Sequence, residues 1–157
     1  MQNKLNSLKL RMKDNNVDLV VLGPGTHMNW LLGFNPYPDE RPCMLLIGKE
    51  KEAFLMPSVN AEDARKRTDI AINSWNDENG PDQALKEALL YIGESSAKHI
   101  AIDEAMRSHF ALILIEALSN PSYEFTTSTI GALRMRKDQT EFINLKENAL
   151  IDDRAMQ

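Results

Sequence analysis

Short apolar runs alternate along this chain with longer amphipathic segments, and this alternation limits the possible folds more than any other feature. The runs have the length of buried strands, and the segments between them carry apolar residues at helical spacing. Strands separated by helices of this length are typical of a layered α/β domain, with helices on both faces of a sheet. We predict strands at residues 18–22, 43–47, 53–56, 70–75, 100–102 and 123–127.

Between the strands, the periodicity predicts helices. Pro81 suits the first turn of one helix, and the residues after it place apolar side chains on one face. A glycine-containing polar stretch, residues 48–52, separates two strand predictions and indicates a hairpin, so the sheet of five to six strands is expected to be mixed. Further helices are predicted around residues 5–12, 28–32, 60–67 and from Ser108 onward.

Composition excludes several classes of protein. The 157 residues have the size of one ordinary domain, and a net charge of −5 argues against a general nucleic-acid binder. The longest apolar run falls far short of the roughly 20 residues that cross a membrane. The first residues lack the apolar centre of a secretory signal, and the single cysteine excludes an internal disulfide. We therefore expect a cytoplasmic protein without nucleic-acid or membrane partners.

Local motifs for metal or nucleophilic chemistry are weak. The histidines, His27, His99 and His109, have no zinc-ligand spacing, so each is expected to be an ordinary turn or surface residue. The pair Asp103-Glu104 follows a strand, where acids can serve catalysis but more often cap a turn. Cys43 has no histidine near it in sequence and is expected to be a small buried residue.

The loop over residues 35–42 is the strongest candidate for a binding site. Three prolines restrict its backbone, and it gathers Tyr37, Asp39, Glu40 and Arg41. Arg41 could pair bidentately with a carboxylate, and Glu40 could accept a hydrogen bond from an amine. The alternative is a solvated loop with an internal Glu–Arg pair.

A helix is predicted from Asp138 onward. Asp138 and Glu141 have the spacing of an acidic capping box, and apolar residues follow near helical spacing as far as Met156. No glycine, asparagine or proline ends this helix before Gln157. Its apolar stripe needs a partner, so we expect the chain to belong to a longer protein whose chemistry lies beyond residue 157.

Several segments resemble one family. Leu31-Leu32-Gly33-Phe34 and then Glu40-Arg41-Pro42 resemble the Tyr-Leu-x-Gly-Phe…Glu-Arg-Pro stretch of the creatinase/prolidase N-terminal domain. Residues 133–141 are similar to the Leu-Arg-x-Ile-Lys-x-x-x-Glu run with which that family enters its second domain. The resemblance extends over the whole chain in order, and the Arg-x-x-Lys-x-x-x-Glu junction is its most specific element.

This resemblance implies an N-terminal domain, residues 1–132, followed by the junction and first helix, residues 133–157, of a C-terminal pita-bread domain. It implies that the parent is an Xaa-Pro dipeptidase or aminopeptidase P-like enzyme that hydrolyses the peptide bond before proline. Two divalent metal ions (Mn, Co or Zn) would lie in the missing C-terminal domain, with no cofactor, metal ligand or catalytic residue in this chain.

By the same resemblance, the protein would be a homodimer acting on proline-containing peptides. The loop with Tyr37, Asp39, Glu40 and Arg41 would lie near the partner subunit's active site. Prolidase-like relatives often have histidine where this chain has Asp39, so the resemblance does not extend to a preference for dipeptides. The alternative, from another class, is a stand-alone α/β binding or oligomerisation module, because fold alone does not define function.

Overall fold

One mixed sheet of six strands forms the centre of the molecule. The computed structural model describes residues 2–156, so Met1 and Gln157, the outer ends of the two expected domain ranges, lie outside the described residues. Strand β2 alone runs antiparallel to the others in the order β4-β3-β2-β1-β5-β6. The strands are β1 Leu19–Leu22, β2 Met44–Ile47, β3 Glu52–Pro57, β4 Ala71–Trp75, β5 His99–Ile102 and β6 Ser122–Phe125.

Helices join most of the strands, as the periodicity predicts. The sequence pattern does not predict α6, which follows the last strand. This helix has only six residues and is therefore too short to show a helical period. The last strand ends at Phe125 rather than at residue 127, and Thr126–Ser128 form a 3-10 helix. The helices are α1 Gln2–Asp14, α2 Thr26–Leu32, α3 Ser58–Arg65, α4 Asp82–Ile92, α5 Ser108–Ala117, α6 Ile130–Met135 and α7 Gln139–Ala155.

Helices pack on both faces of the sheet, which confirms the expected three-layer α/β domain. Side chains alternate along β1, so Val20 and Leu22 face a core that includes residues of α1 and α2. Leu19 and Val21 face the opposite core, which includes residues of α4 and α5. All four residues of β1 are fully buried, as expected for a strand covered on both faces.

Asp18 ties the start of β1 to the start of β5. Its carboxylate accepts hydrogen bonds from the backbone N–H groups of Lys98 and His99, at 2.8 and 3.0 Å, and from Lys49 Nζ at 2.6 Å. Burial acts to raise the pKa of Asp18, but these hydrogen bonds outweigh it, and the pKa is lowered overall. The folded state therefore favours the ionised carboxylate.

We expect Asp18→Asn to lower the free energy of unfolding at neutral pH by about 1–2 kcal/mol, because charge-assisted hydrogen bonds are lost. Since the pKa of Asp18 is lower in the folded state, its contribution is present above the unfolded pKa and is lost as the pH falls through the folded pKa. Urea unfolding between neutral and acidic pH measures this. A difference between wild type and variant that does not shrink in acid would contradict the assignment.

Candidate functional site

The carboxyl ends of five strands meet at one edge of the sheet, together with the start of β2. In α/β proteins, ligands usually bind outside the carboxyl ends of the strands. The loop over residues 35–42 leads into β2 at this edge, and the turns after β1, β4 and β5 lie there as well. The two polar clusters described next both occupy this edge.

The first cluster is centred on Arg41. Its Nε and Nη2 donate to the two carboxylate oxygens of Asp77, both at 3.1 Å, which is the bidentate geometry that the sequence suggested for a carboxylate partner. Arg41 Nη1 lies 3.5 Å from Glu40 Oε1 and 3.9 Å from Asp39 Oδ2. Three carboxylates thus surround one guanidinium, and the cluster is net negative.

The ion pair between Arg41 and Asp77 shifts the pKa of both side chains. The hydrogen bond to Asp77 raises the pKa of Arg41, and the hydrogen bond from Arg41 lowers the pKa of Asp77. The Asp77 side chain is 68% exposed and the Arg41 side chain 36% exposed, so solvent weakens the attraction between them. The internal Glu–Arg pair of the alternative interpretation is present, but Asp77 is the closer partner.

Backbone contacts hold the loop to the rest of the domain. Trp75 Nε1 donates a buried hydrogen bond of 2.9 Å to the carbonyl of Pro42, and His109 Nε2 donates to the carbonyl of Glu40 at 3.1 Å. At the other end of the loop, Asn35 Oδ1 accepts from the backbone N–H of Gly25 at 2.7 Å. The loop is therefore anchored at both ends, to the turn after β1 and to the end of β4.

Tyr37 does not join the Arg41 cluster. Its side chain is 78% exposed and lines a surface cavity of about 380 Å³ between the loop and α3, together with Val59 and Asn60. The structure thus brings three of the four expected loop residues together, while Tyr37 lies on the α3 side. Cys43, at the end of the loop, is buried, and burial raises the pKa of its thiol to about 12, so it is unsuited to act as a nucleophile.

The second cluster is centred on His27, which corrects the expectation of an ordinary turn or surface residue. Only 7% of His27 is exposed, because α2 packs it against the turn after β5. Its Nε2 lies 3.1 Å from Glu104 Oε1, and its Nδ1 lies 2.8 Å from Arg134 Nη1. These partners are distant in sequence, so local spacing could not reveal the contact.

The acids of this cluster have different environments. Burial raises the pKa of Asp103, whose Oδ1 accepts from the backbone N–H of Ala105 and so caps the turn, as the sequence suggested. Burial also acts to raise the pKa of Glu104, but hydrogen bonds, first from Thr126 Oγ1 at 2.7 Å, outweigh it and lower the pKa overall. Glu104 is therefore ionised at neutral pH and accepts from His27.

The geometry of His27 determines its tautomer. An arginine has no acceptor atom, so Arg134 must donate and Nδ1 must accept. A neutral ring then carries its hydrogen on Nε2, which donates to Glu104. Although His27, Asp103 and Glu104 have oxygen and nitrogen atoms close enough to share a cation, this tautomer offers the cluster no free histidine lone pair. The residues do not fit a metal centre.

The junction motif has a contact for each of its residues. Arg134 donates to His27 and, at 3.1 Å, to Thr26 Oγ1. Lys137 Nζ donates to the carbonyl of Arg134 at 3.0 Å, across the bend between α6 and α7. Glu141 completes the predicted capping box with Asp138 at the start of α7.

Glu141 also attaches α7 to the domain. Its Oε1 accepts from Trp30 Nε1 at 2.6 Å and from Lys4 Nζ at 3.3 Å. The Lys4 ammonium group lies over the Trp30 ring, 4.1 Å from its centroid. No residue of α7 within the described range is buried, so polar contacts rather than a core hold the start of this helix.

A family model and solved structures match this chain. The model described as the creatinase/prolidase N-terminal domain matches residues 4–136. The prolidase from Thermococcus sibiricus has a TM-score of 0.86 at 20% identity, and the match covers 99% of this chain and 42% of that chain. The dipeptidase from Pyrococcus horikoshii has a TM-score of 0.77 at 24% identity, covering 87% of this chain and 38% of that chain.

Shorter structures match as well. A proline dipeptidase structure from Streptococcus pneumoniae has a TM-score of 0.75 at 20% identity, and the match covers 85% of this chain and 98% of that chain. A comparison with curated proteins finds no match. None of the helices within residues 2–156 combines the length and apolarity that a membrane crossing requires. The chain thus spans about two fifths of the archaeal structures and nearly all of the streptococcal one.

Metal titration tests the conclusion about the His27 cluster. We expect no stoichiometric binding of Mn²⁺ or Zn²⁺ at neutral pH, because Arg134 occupies Nδ1 and Nε2 carries the ring hydrogen. Isothermal titration calorimetry on the 157-residue chain measures this, with a chelator-treated sample as the control. One tight, saturable equivalent would show that the ring changes tautomer and that the site accepts a cation.

Proposed function

Because this chain belongs to the creatinase/prolidase N-terminal domain family, we propose that it is the non-catalytic N-terminal domain of a metal-dependent Xaa-Pro peptidase. The observation that carries this proposal is the family match over residues 4–136, which includes the loop and ends within the junction motif, after Arg134. The parent would hydrolyse the peptide bond before proline, acting as a cytoplasmic homodimer on proline-containing peptides. Its two divalent metal ions would be bound outside this chain.

The geometry of α7 supports a domain boundary near residue 133. All 17 residues of this helix, Gln139–Ala155, lie beyond the family match, and the helix exposes apolar side chains along its length. A surface of this kind is unfavourable in water and suits a partner that packs on it. We propose that residues 133–157 form the junction and the first helix of the downstream domain. The exposed apolar residues are Phe142, Ile143, Leu145, Leu150, Ile151 and Met156.

The loop supports a role near an active site. We propose that Arg41 binds the carboxylate end of a substrate held by the partner subunit, that Glu40 holds Arg41 or the substrate amine, and that Tyr37 and Asp39 flank them. Arg41 would exchange Asp77 for the substrate, which the exposure of this ion pair permits. Because three acids surround Arg41, the cluster would disfavour a purely anionic substrate end and favour longer or basic peptides.

Hydrogen exchange tests the domain boundary. In the 157-residue chain, amide protection of residues 150–156 is expected to be far lower than that of residues 19–22, because the apolar face of α7 has no partner there. The measurement is repeated over a range of protein concentrations. Strong protection at every concentration would contradict the boundary, and protection that rises with concentration would favour the alternative oligomerisation module.

Steady-state kinetics test the loop. In the full-length protein, Arg41→Ala is expected to lower kcat/KM on Xaa-Pro dipeptides by about tenfold to a hundredfold, because a charge-assisted contact is lost. Peptides amidated at the C-terminus lack that carboxylate, so Arg41→Ala is expected to lower kcat/KM on them much less. Glu40→Ala is expected to lower kcat/KM on the free dipeptides; an equal loss on the amidated peptides would assign Glu40 to the substrate amine, and a smaller loss there would assign it to orienting Arg41.

Arg65→Ala, at an exposed arginine on α3 outside the loop, is the matched control and is expected to retain wild-type kinetics. Thermal melts check that each variant remains folded. Activity within about twofold of wild type for both loop variants, with unchanged melting temperature, would show that the loop is a solvated connection without a role in substrate binding.

A further inference from the structure

The carboxyl end of α6 makes a contact through a titratable ring. Helix α6 has six residues; its first residue, Ile130, is fully buried in the core, and Leu133 packs against that core. Near the carboxyl end, Arg134 reaches back to α2 and donates to His27 Nδ1 and Thr26 Oγ1. Lys137 and α7 follow directly, so this contact ties the end of α6 to α2 just before the long helix.

The contact requires a neutral ring. Nδ1 accepts from Arg134 only while it carries no hydrogen. A proton added to Nδ1 would place an N–H group against the N–H group of Arg134 and bring two cations together at 2.8 Å. His27 is buried and cannot easily leave, whereas Arg134 is half-buried at the surface and can turn into water.

Two carboxyl groups also lie beside His27. Glu104 Oε1 lies 3.1 Å from Nε2, and the buried Asp103 completes the cluster from the turn after β5. A protonated ring would carry a positive charge beside Glu104, so Glu104 would keep a charged partner after Arg134 leaves.

We propose that His27 is a pH-dependent switch for the junction: its neutral ring holds Arg134, and with it the carboxyl end of α6, to α2, and protonation of the ring releases Arg134. Histidine is the side chain whose charge normally changes between about pH 5 and pH 8. Release would free the bend between α6 and α7 while leaving the two cores of the sheet intact. The orientation of α7, and of any chain that follows it, would then vary with pH.

Amide hydrogen exchange between about pH 8 and pH 5 tests the switch. After correction for intrinsic exchange rates, protection of residues 131–141 in the 157-residue chain is expected to fall about tenfold, equivalent to about 1.4 kcal/mol. Protection of residues 19–22 is expected to remain constant over the same range. An unchanged junction, or an equal loss in residues 19–22, would overturn the proposal.

Substitutions identify the titrating group. His27→Gln keeps an acceptor for Arg134 without a titrating ring, so the junction is expected to stay protected throughout the pH range. Arg134→Gln removes the contact and is expected to give low protection at every pH. His99→Gln and His109→Gln are the matched controls and are expected to retain the tenfold pH dependence. A pH dependence that persists in His27→Gln would overturn the proposal.

The ring itself gives an independent measurement. Nitrogen-15 NMR at about pH 8 is expected to show a neutral His27 ring with its hydrogen on Nε2. On acidification, this ring is expected to titrate together with the loss of protection at residues 131–141. A hydrogen on Nδ1 at high pH, or a ring that titrates without any change at the junction, would contradict the assigned geometry.

Discussion

Burial of β1 on both faces is the constraint on which the rest of the structure depends. Its four residues are fully buried between the antiparallel β2 and the parallel β5, so both cores are organised around it. The chain must then leave the sheet beside the end of β5. At that point a Cβ on Gly23 would lie 3.0 Å from Met106 Cγ, so glycine allows the close approach of the two turns. This approach is what brings His27, on the next helix, against Glu104.

Most of the fold follows from local patterns. The apolar runs that become β1, β2 and β5 are recognisable because burial on both faces requires continuous apolar sequence. The capping box at Asp138 and Glu141 is recognisable because both partners lie within one turn of helix. Helix α6 and the 3-10 turn before it are too short for a period, and packing on the domain determines them. The edge strand β6 is mostly exposed, so no continuous apolar run marks its ends, and the predicted range 123–127 differs from the observed Ser122–Phe125.

Only those contacts of the site that join residues close together in sequence could be predicted. The loop residues Asp39, Glu40 and Arg41 are adjacent in sequence, and their grouping follows from that. The main partner of Arg41 is Asp77, which lies 36 residues away and meets the loop only because the start of β2 and the end of β4 lie at the same edge of the sheet. The contacts of His27 span 77 and 107 residues. Such pairs leave no periodic signal, because side-chain spacing describes one element and not the edge where several elements meet.

The sheet with its packed helices, and the attachment of α7 to this domain, are therefore stabilised by different forces. Apolar burial on both faces fixes the sheet and its helices, and this force varies little with pH or with salt at ordinary concentrations. Helix α7 has no buried residue and is attached through Glu141, Trp30 and Lys4, while Arg134 ties the carboxyl end of α6 to α2. Polar contacts at a surface are individually weak and respond to protons and ions. An attachment of this kind suits a junction whose angle is adjustable, because it can change while the rigid core that positions the loop at residues 35–42 stays unchanged.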